Sequence, residues 1–114
     1  MVMTRCGTDV VYAHPPEFTL DPKIVEKARR NAEETGGSFE ETGNLREAFE
    51  GADVAYVRNH TTLNFADIGP QADTAIIDKY KGWICKESPM DLTSKSSIFM
   101  HCLPVDRGHE VTNE

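Results

Sequence analysis

The chain has no excess of basic charge, no long apolar run and no paired cysteines, and each lack removes a class of function. Twelve Lys and Arg against nineteen Asp and Glu leave 114 residues at a formal net charge of −7. Nucleic acid is not expected as a partner, because its phosphates need a basic face. A single cation such as Arg107 can still meet an anion. No apolar run approaches the ~18–20 residues of a bilayer-spanning helix. The opening MVMTRCGTDVV also lacks the apolar core and cleavage site of a secretory signal, so no membrane partner is expected. Cys6, Cys85 and Cys102 are odd in number and form no CxxC pair, which argues against a disulfide framework and for a reducing, cytoplasmic setting. His101, Cys102 and His109 lack zinc-ligand spacing, so neither metal nor cofactor is expected. A dinucleotide fold would carry GxGxxG after its first strand. Here Tyr12 is followed by Ala-His-Pro-Pro-Glu-Phe.

What is present is an alternation of short elements within one domain. Asp9–Pro15 is β-branched and aromatic and reads as a buried strand. The segment LDPKIVEKARRNAEETGG predicts a helix, with Asp21 as N-cap, Pro22 in the first position and Gly36-Gly37 as the stop. Its apolar stripe is Ile24, Ala28 and Ala32, with Val25 beside it. Ser38–Thr42 reads as an edge strand, Asn44 caps a short helix through Phe49, and Ala52–Val57 reads as a strand. Arg58 to Pro70 shows no periodicity and predicts a long loop of the kind that carries function. A helix over Ala72–Tyr80, a short strand or extended segment at Gly82–Cys85, a small helix capped by Ser88 and a strand at Ser97–His101 complete the pattern. Such alternation predicts a three-layer α/β fold, a parallel sheet with helices on both faces.

In sheets of this kind ligands lie beyond the carboxyl ends of the strands. His14, Arg58-Asn59-His60 and His101-Cys102-Leu103-Pro104 all fall there. A Cys102–His101 nucleophile pair is poor chemistry, since neighbouring strand residues face opposite ways. Pro104 at a strand end removes a donor and leaves the preceding carbonyl free to accept from a ligand. Arg107 suits a bidentate pair with phosphate or carboxylate, or else a solvated surface. His60 either lines a pocket or faces solvent, and His14 suits capping or packing.

FMHCLPVDRGHEVT resembles the signature near the end of the second domain of the ornithine and acetylornithine carbamoyltransferases. EAFEGADVAYV and DVVYAHPPEF resemble earlier segments of the same families. WICKESPMDLTSKSSIFMHCLP is most similar to the acetylornithine-type, knotted branch. The resemblance implies a Rossmann-like second domain, incomplete at both ends, over residues 1–114. It implies transfer of a carbamoyl group from carbamoyl phosphate to the amine of an amino acid, with no covalent enzyme intermediate and no cofactor. It places His101, Cys102, Leu103 and Pro104 at the catalytic centre: Cys102 near the amine-bearing substrate, and the Leu103 carbonyl, before a cis Pro104, on the carbamoyl NH2. Arg58 then meets the substrate carboxylate, with Asn59, His60 and Arg107 as further binding residues. The sequence departs from the pattern at Asp106, where a basic residue is usual, and at Arg58-Asn59-His60, where the acetylornithine type has Lys-Asn-Trp. No Ser-x-Arg-Thr motif for carbamoyl phosphate is present, so that domain is absent and the isolated chain is expected to be inactive. Whole enzymes of the family are homotrimers. The rival expectation is a noncatalytic Rossmann-like binding or regulatory module.

Overall fold

The computed structural model describes residues 1–59, 61–105 and 107–113. Parallel strands alternate with helices, as the α/β reading requires. After a 3-10 turn at Met3–Cys6 come β1 (Val10–Ala13), α1 (Pro22–Thr35), β2 (Phe39–Thr42), α2 (Leu45–Phe49), β3 (Val54–Val57), α3 (Phe65–Lys79), α4 (Glu87–Met90) and β4 (Ile98–His101). Hydrogen bonding divides the strands into two parallel pairs, β1 with β2 and β3 with β4.

α1 forms where its punctuation places it. The Asp21 carboxylate accepts from the Lys23 amide at 2.8 Å, Pro22 sits in the first turn, and Gly36 closes the helix at φ 80°. The buried stripe runs through Ala28 and Ala32, with Val25 half-buried. Ile24 stands 42% exposed. Val25 and Ile24, three and four residues before Ala28, stand about 100° apart on either side of the Ala28–Ala32 stripe, and the contacts fall on the Val25 side. The helix is anchored at its far end, where the Thr35 hydroxyl donates to the Thr4 carbonyl at 2.7 Å. Gly37 lies so close to this junction that a Cβ there would sit 2.6 Å from the Thr8 carbonyl oxygen.

The core of the second half forms under β3. Phe49, Ala55 and Cys85 are buried together, with Leu45, Val57, Met90, Leu92 and Val111 packed around them. Burying a side chain the size of Phe49 contributes about 1.5–3 kcal/mol. The opposite face of the β3–β4 pair carries Val54 (45% exposed), Tyr56 (54%), Ile98 (53%) and Met100 (47%).

Three expectations change. The aperiodic loop ends at Asn64 rather than Pro70, because a helical turn from Phe65 precedes the break at Gly69 (φ 78°, ψ 169°) and Pro70. Those two residues hide the turn from a periodicity search. Of the two readings of Gly82–Cys85, the strand does not form: Trp83 closes a turn onto Tyr80, and within the segment only Cys85 bridges, to Val111. The small helix starts at Glu87 with Lys86 in the cap position and no side-chain cap, so Ser88 lies inside it.

Candidate functional site

The site begins with a register. β3 and β4 pair with Val57 opposite His101. Arg58 and Cys102 therefore leave neighbouring strands side by side, at the same carboxyl edge. Side chains alternate along a strand, so Tyr56 and Arg58 share a face with Met100 and Cys102 across the pair. The Tyr56 hydroxyl is pushed above its ordinary 10.0, first by partial removal from water and then by its hydrogen bond to the Cys102 sulfur and that group's charge; Arg58 pulls the other way. Tyr12, on β1, is also raised, mainly by burial, with Arg58 again opposing and Glu41 adding. The guanidinium of Arg58 thus lies in the field of two phenols and a thiol. Cys102 itself is exposed.

The turn after β4 is shaped by its own backbone. Leu103 has φ 54°, the Leu103–Pro104 peptide is cis, and Leu103 is 67% exposed. The Leu103 amide donates to His101 Nδ1 at 2.9 Å. A nitrogen that accepts carries no proton, so the neutral ring holds its hydrogen on Nε2. That Nε2 is buried and has no hydrogen-bond partner among the described residues. His101 thus braces the turn with one nitrogen and keeps a donor in reserve on the other.

Asn59 spans the gap between the two segments. Its Nδ2 donates to the Glu110 Oε1 at 3.0 Å and to the Pro104 carbonyl at 3.3 Å. Both partners accept there, which fixes which end of the carboxamide faces them. The loop that follows is tied to α3: the buried Asp73 carboxylate accepts from the Thr62 amide at 2.9 Å and the Thr62 hydroxyl at 2.6 Å, with Thr61 at 3.3 Å. Burial alone would raise the Asp73 pKa, but those hydrogen bonds outweigh it and hold the carboxyl below its ordinary value.

Arg58, Asn59, His101, Cys102, Leu103 and Pro104 therefore gather at one edge, as the sequence predicts. Arg107 is exposed and forms an isolated bridge to Val111. His60 and Asp106 lie outside the described residues. His14 is engaged elsewhere, against the Tyr12 ring at 4.7 Å, the Pro15 carbonyl and Glu41. Sequence reading missed Tyr12, Tyr56 and Glu110. Tyr56 could have been found from its spacing, two residues before Arg58 on one strand face. An open depression of about 710 Å³ lies on the outer side of α1, lined by Arg29, Arg30 and Glu41 among others. Leu63, from the loop after Arg58, also lines it, and its Arg29 is already paired with Glu41 at 2.9 Å.

A parallel α/β domain with a His-Cys-Leu-Pro turn at the carboxyl edge of its strands fits a carbamoyltransferase amino-acid-binding domain. The chain belongs to that family: residues 1–114 match the aspartate/ornithine carbamoyltransferase Asp/Orn binding domain. It is 35% identical to the N-acetylornithine carbamoyltransferase of Xylella fastidiosa (strain Temecula1) over 98% of its length and 33% of that protein. It is 34% identical to the ornithine carbamoyltransferase of Hyperthermus butylicus, over 100% of this chain and 35% of that one. Among solved structures, an N-acetyl-L-ornithine transcarbamylase variant complexed with carbamyl phosphate and N-succinyl-L-norvaline superposes with a TM-score of 0.86 at 33% identity, covering 98% of this chain and 33% of that one. The chain spans about a third of the length of these relatives.

Proposed function

We propose that this chain supplies the amino-acid side of a carbamoyltransferase site, where the amine of ornithine, acetylornithine or a related amino acid attacks the carbamoyl carbon of carbamoyl phosphate and phosphate leaves. Arg58 pairs with the substrate carboxylate. The Leu103 carbonyl accepts from the carbamoyl NH2, a task suited to a backbone oxygen fixed before reaction. Cys102 lies beside the attacking amine as a positioning group and forms no covalent bond. His101 supports the turn through Nδ1, and its Nε2 hydrogen is available to an oxygen of the substrates. Arg107 and His60 complete the anion-binding side. The sequence assigns Asn59 to the substrate, but both hydrogens of its Nδ2 are spent within the protein, so it enters as a support. Carbamoyl phosphate is held by a separate domain, and the full-length enzyme works as a cytoplasmic homotrimer in amino acid metabolism, with arginine biosynthesis as its setting.

The observation that carries this reading is the register, Val57 opposite His101, which sets Arg58 against Cys102 and Leu103. The test is to incubate the full-length protein with carbamoyl phosphate and a panel of amino acids, and to measure ureido product and phosphate together. Stoichiometric formation of both with one amino acid is expected. Cys102→Ser should lower turnover about tenfold and leave clear residual activity, the mark of positioning rather than nucleophilic chemistry. Absence of ureido product with every amino acid would leave the noncatalytic module as the better account.

A further inference from the structure

We propose that Asn59 and Glu110 form a clasp that sets the spacing between the Arg58 loop and the Leu103–Pro104 turn, so that both are positioning residues for the two substrates that meet there. The inference rests on the function proposed above, but its geometry does not.

The ladder between β3 and β4 stops at Val57 and His101. Beyond it, among the described residues, no main-chain hydrogen bond joins Arg58 or Asn59 to Cys102, Leu103 or Pro104. The crevice begins where the backbone coupling ends. Asn59 restores that coupling through its side chain, on the residue after Arg58, and reaches the residue after Leu103. One carboxamide therefore fastens the group assigned to the amino acid's carboxylate to the turn whose carbonyl is assigned to the carbamoyl NH2.

Glu110 is the fixed end of the clasp. It is 4% exposed. Its backbone carbonyl accepts from the Cys85 amide at 2.8 Å, and the Thr112 amide returns to the Cys85 carbonyl at 3.1 Å. The main chain is thus tied on both sides of the carboxylate, which cannot drift without breaking the bridge between Cys85 and Val111. A buried carboxylate needs donors, and Asn59 is one of them at 3.0 Å. A hydrogen bond to a charged acceptor is stronger than a neutral one, so the Glu110 contact anchors the amide and the longer Pro104 contact follows from it.

The test inverts the pair in the full-length protein. In Asn59→Asp a carboxylate faces Glu110 and the Pro104 carbonyl, acceptors on every side with no hydrogen between them. In Asn59→Asp/Glu110→Gln the amide introduced at position 110 donates back to the new carboxylate, which rebuilds the anchoring 59–110 contact though not the longer one to Pro104, so the recovery is partial. Asn59→Asp should lower kcat/KM for the amino acid roughly 10- to 100-fold, the range that misplacement of a reacting group costs. It should raise the KM for the amino acid and for carbamoyl phosphate alike, because Arg58 and the Leu103 carbonyl meet one substrate each. The double variant should recover at least about fivefold, a coupling that independent sites would not show. A general loss of structure would lower the apparent kcat by removing active enzyme and leave both KM values unchanged. Activity within twofold of wild type for Asn59→Asp, a double variant no better than the single, or a loss of kcat with both KM values unchanged would each overturn the clasp. If wild type forms no ureido product at all, the proposed function fails instead. The clasp is then judged by thermal unfolding of the same variants: a Tm lowered in the single and restored in the double upholds it, and a Tm lowered equally in both overturns it.

Discussion

The two strand pairs share a topology and differ in what their carboxyl ends do. At the end of β1–β2 the polar groups satisfy one another: Glu41 takes Arg29 at 2.9 Å and His14 at 3.7 Å, while the His14 amide continues the pairing onto the Thr42 carbonyl. At the end of β3–β4 the groups are held in place without being used up. Among the described residues His101 keeps an unpartnered Nε2, Cys102 is exposed, and the Asn59 side chain is what ties the two loops beyond the strands. A closed end contributes a little stability. An open end, held by supports outside the contact surface, is what a ligand needs.

Exchanging one side chain at a time should break this contrast, and the largest effect belongs to the open end. Arg58→Met keeps the aliphatic stem and removes the charge. It should raise the amino acid KM about a hundredfold, the scale of a lost charge-assisted pair, while Tm stays within a few degrees. Steady-state kinetics with varied amino acid and saturating carbamoyl phosphate measure it. A KM unchanged by Arg58→Met would erase the distinction between the two ends.

The support beneath the open end should come next. Asp73→Ala strips acceptors from the buried Thr62 hydroxyl and amide, and should cost about 2–3 kcal/mol by chemical denaturation. The same residue carries a pH signature. Its folded-state pKa lies below the ordinary 3.8, so its contribution is fully present above about pH 4 and is lost as pH falls through the folded value. Wild type should therefore lose more stability than Asp73→Ala between about pH 5 and pH 3. Equal losses would show that the Thr61–Thr62 loop does not depend on this carboxylate.

The smallest effect is expected at the closed end. Arg29 is 56% exposed in its pair with Glu41, and exposed ion pairs of this kind contribute about 0–1 kcal/mol. Arg29→Ala should change Tm by no more than a few degrees and leave both KM values alone. A clear rise in the amino acid KM would mean that the two strand ends work together.

Much of this was legible in the sequence, for reasons that differ by element. α1 was set by local chemistry at both ends, Asp21-Pro22 and Gly36-Gly37, so its bounds needed no tertiary information. The Asn44 cap, which accepts from the Arg46 and Glu47 amides, did the same for α2. The start of α3 was hidden because Gly69 and Pro70 interrupt the period after a single turn. Gly82–Cys85 looked like a strand on local grounds, but whether it pairs depends on a distant partner, Val111, and only Cys85 meets it. At the site, Arg58 and Cys102 were readable because both follow apolar strand runs. Tyr12 and Tyr56 were not, since tyrosine within a strand is ordinarily a packing residue. Glu110 gave no signal: its burial accompanies the Cys85 bridge, which no local pattern announces.

The one-to-one alignment of β3 with β4 also limits how this chain can vary. Deleting or inserting a single residue within either strand would turn Arg58 or Cys102 to the opposite side of the ribbon, since side-chain direction reverses at every step. Within the long excursion between the strands, Asp73 and Cys85 must keep their places, but the exposed Lys81–Gly82 turn between them is under no such restriction. Length changes there would be absorbed by the turn, so it is where an added loop could be placed with least disturbance to the crevice.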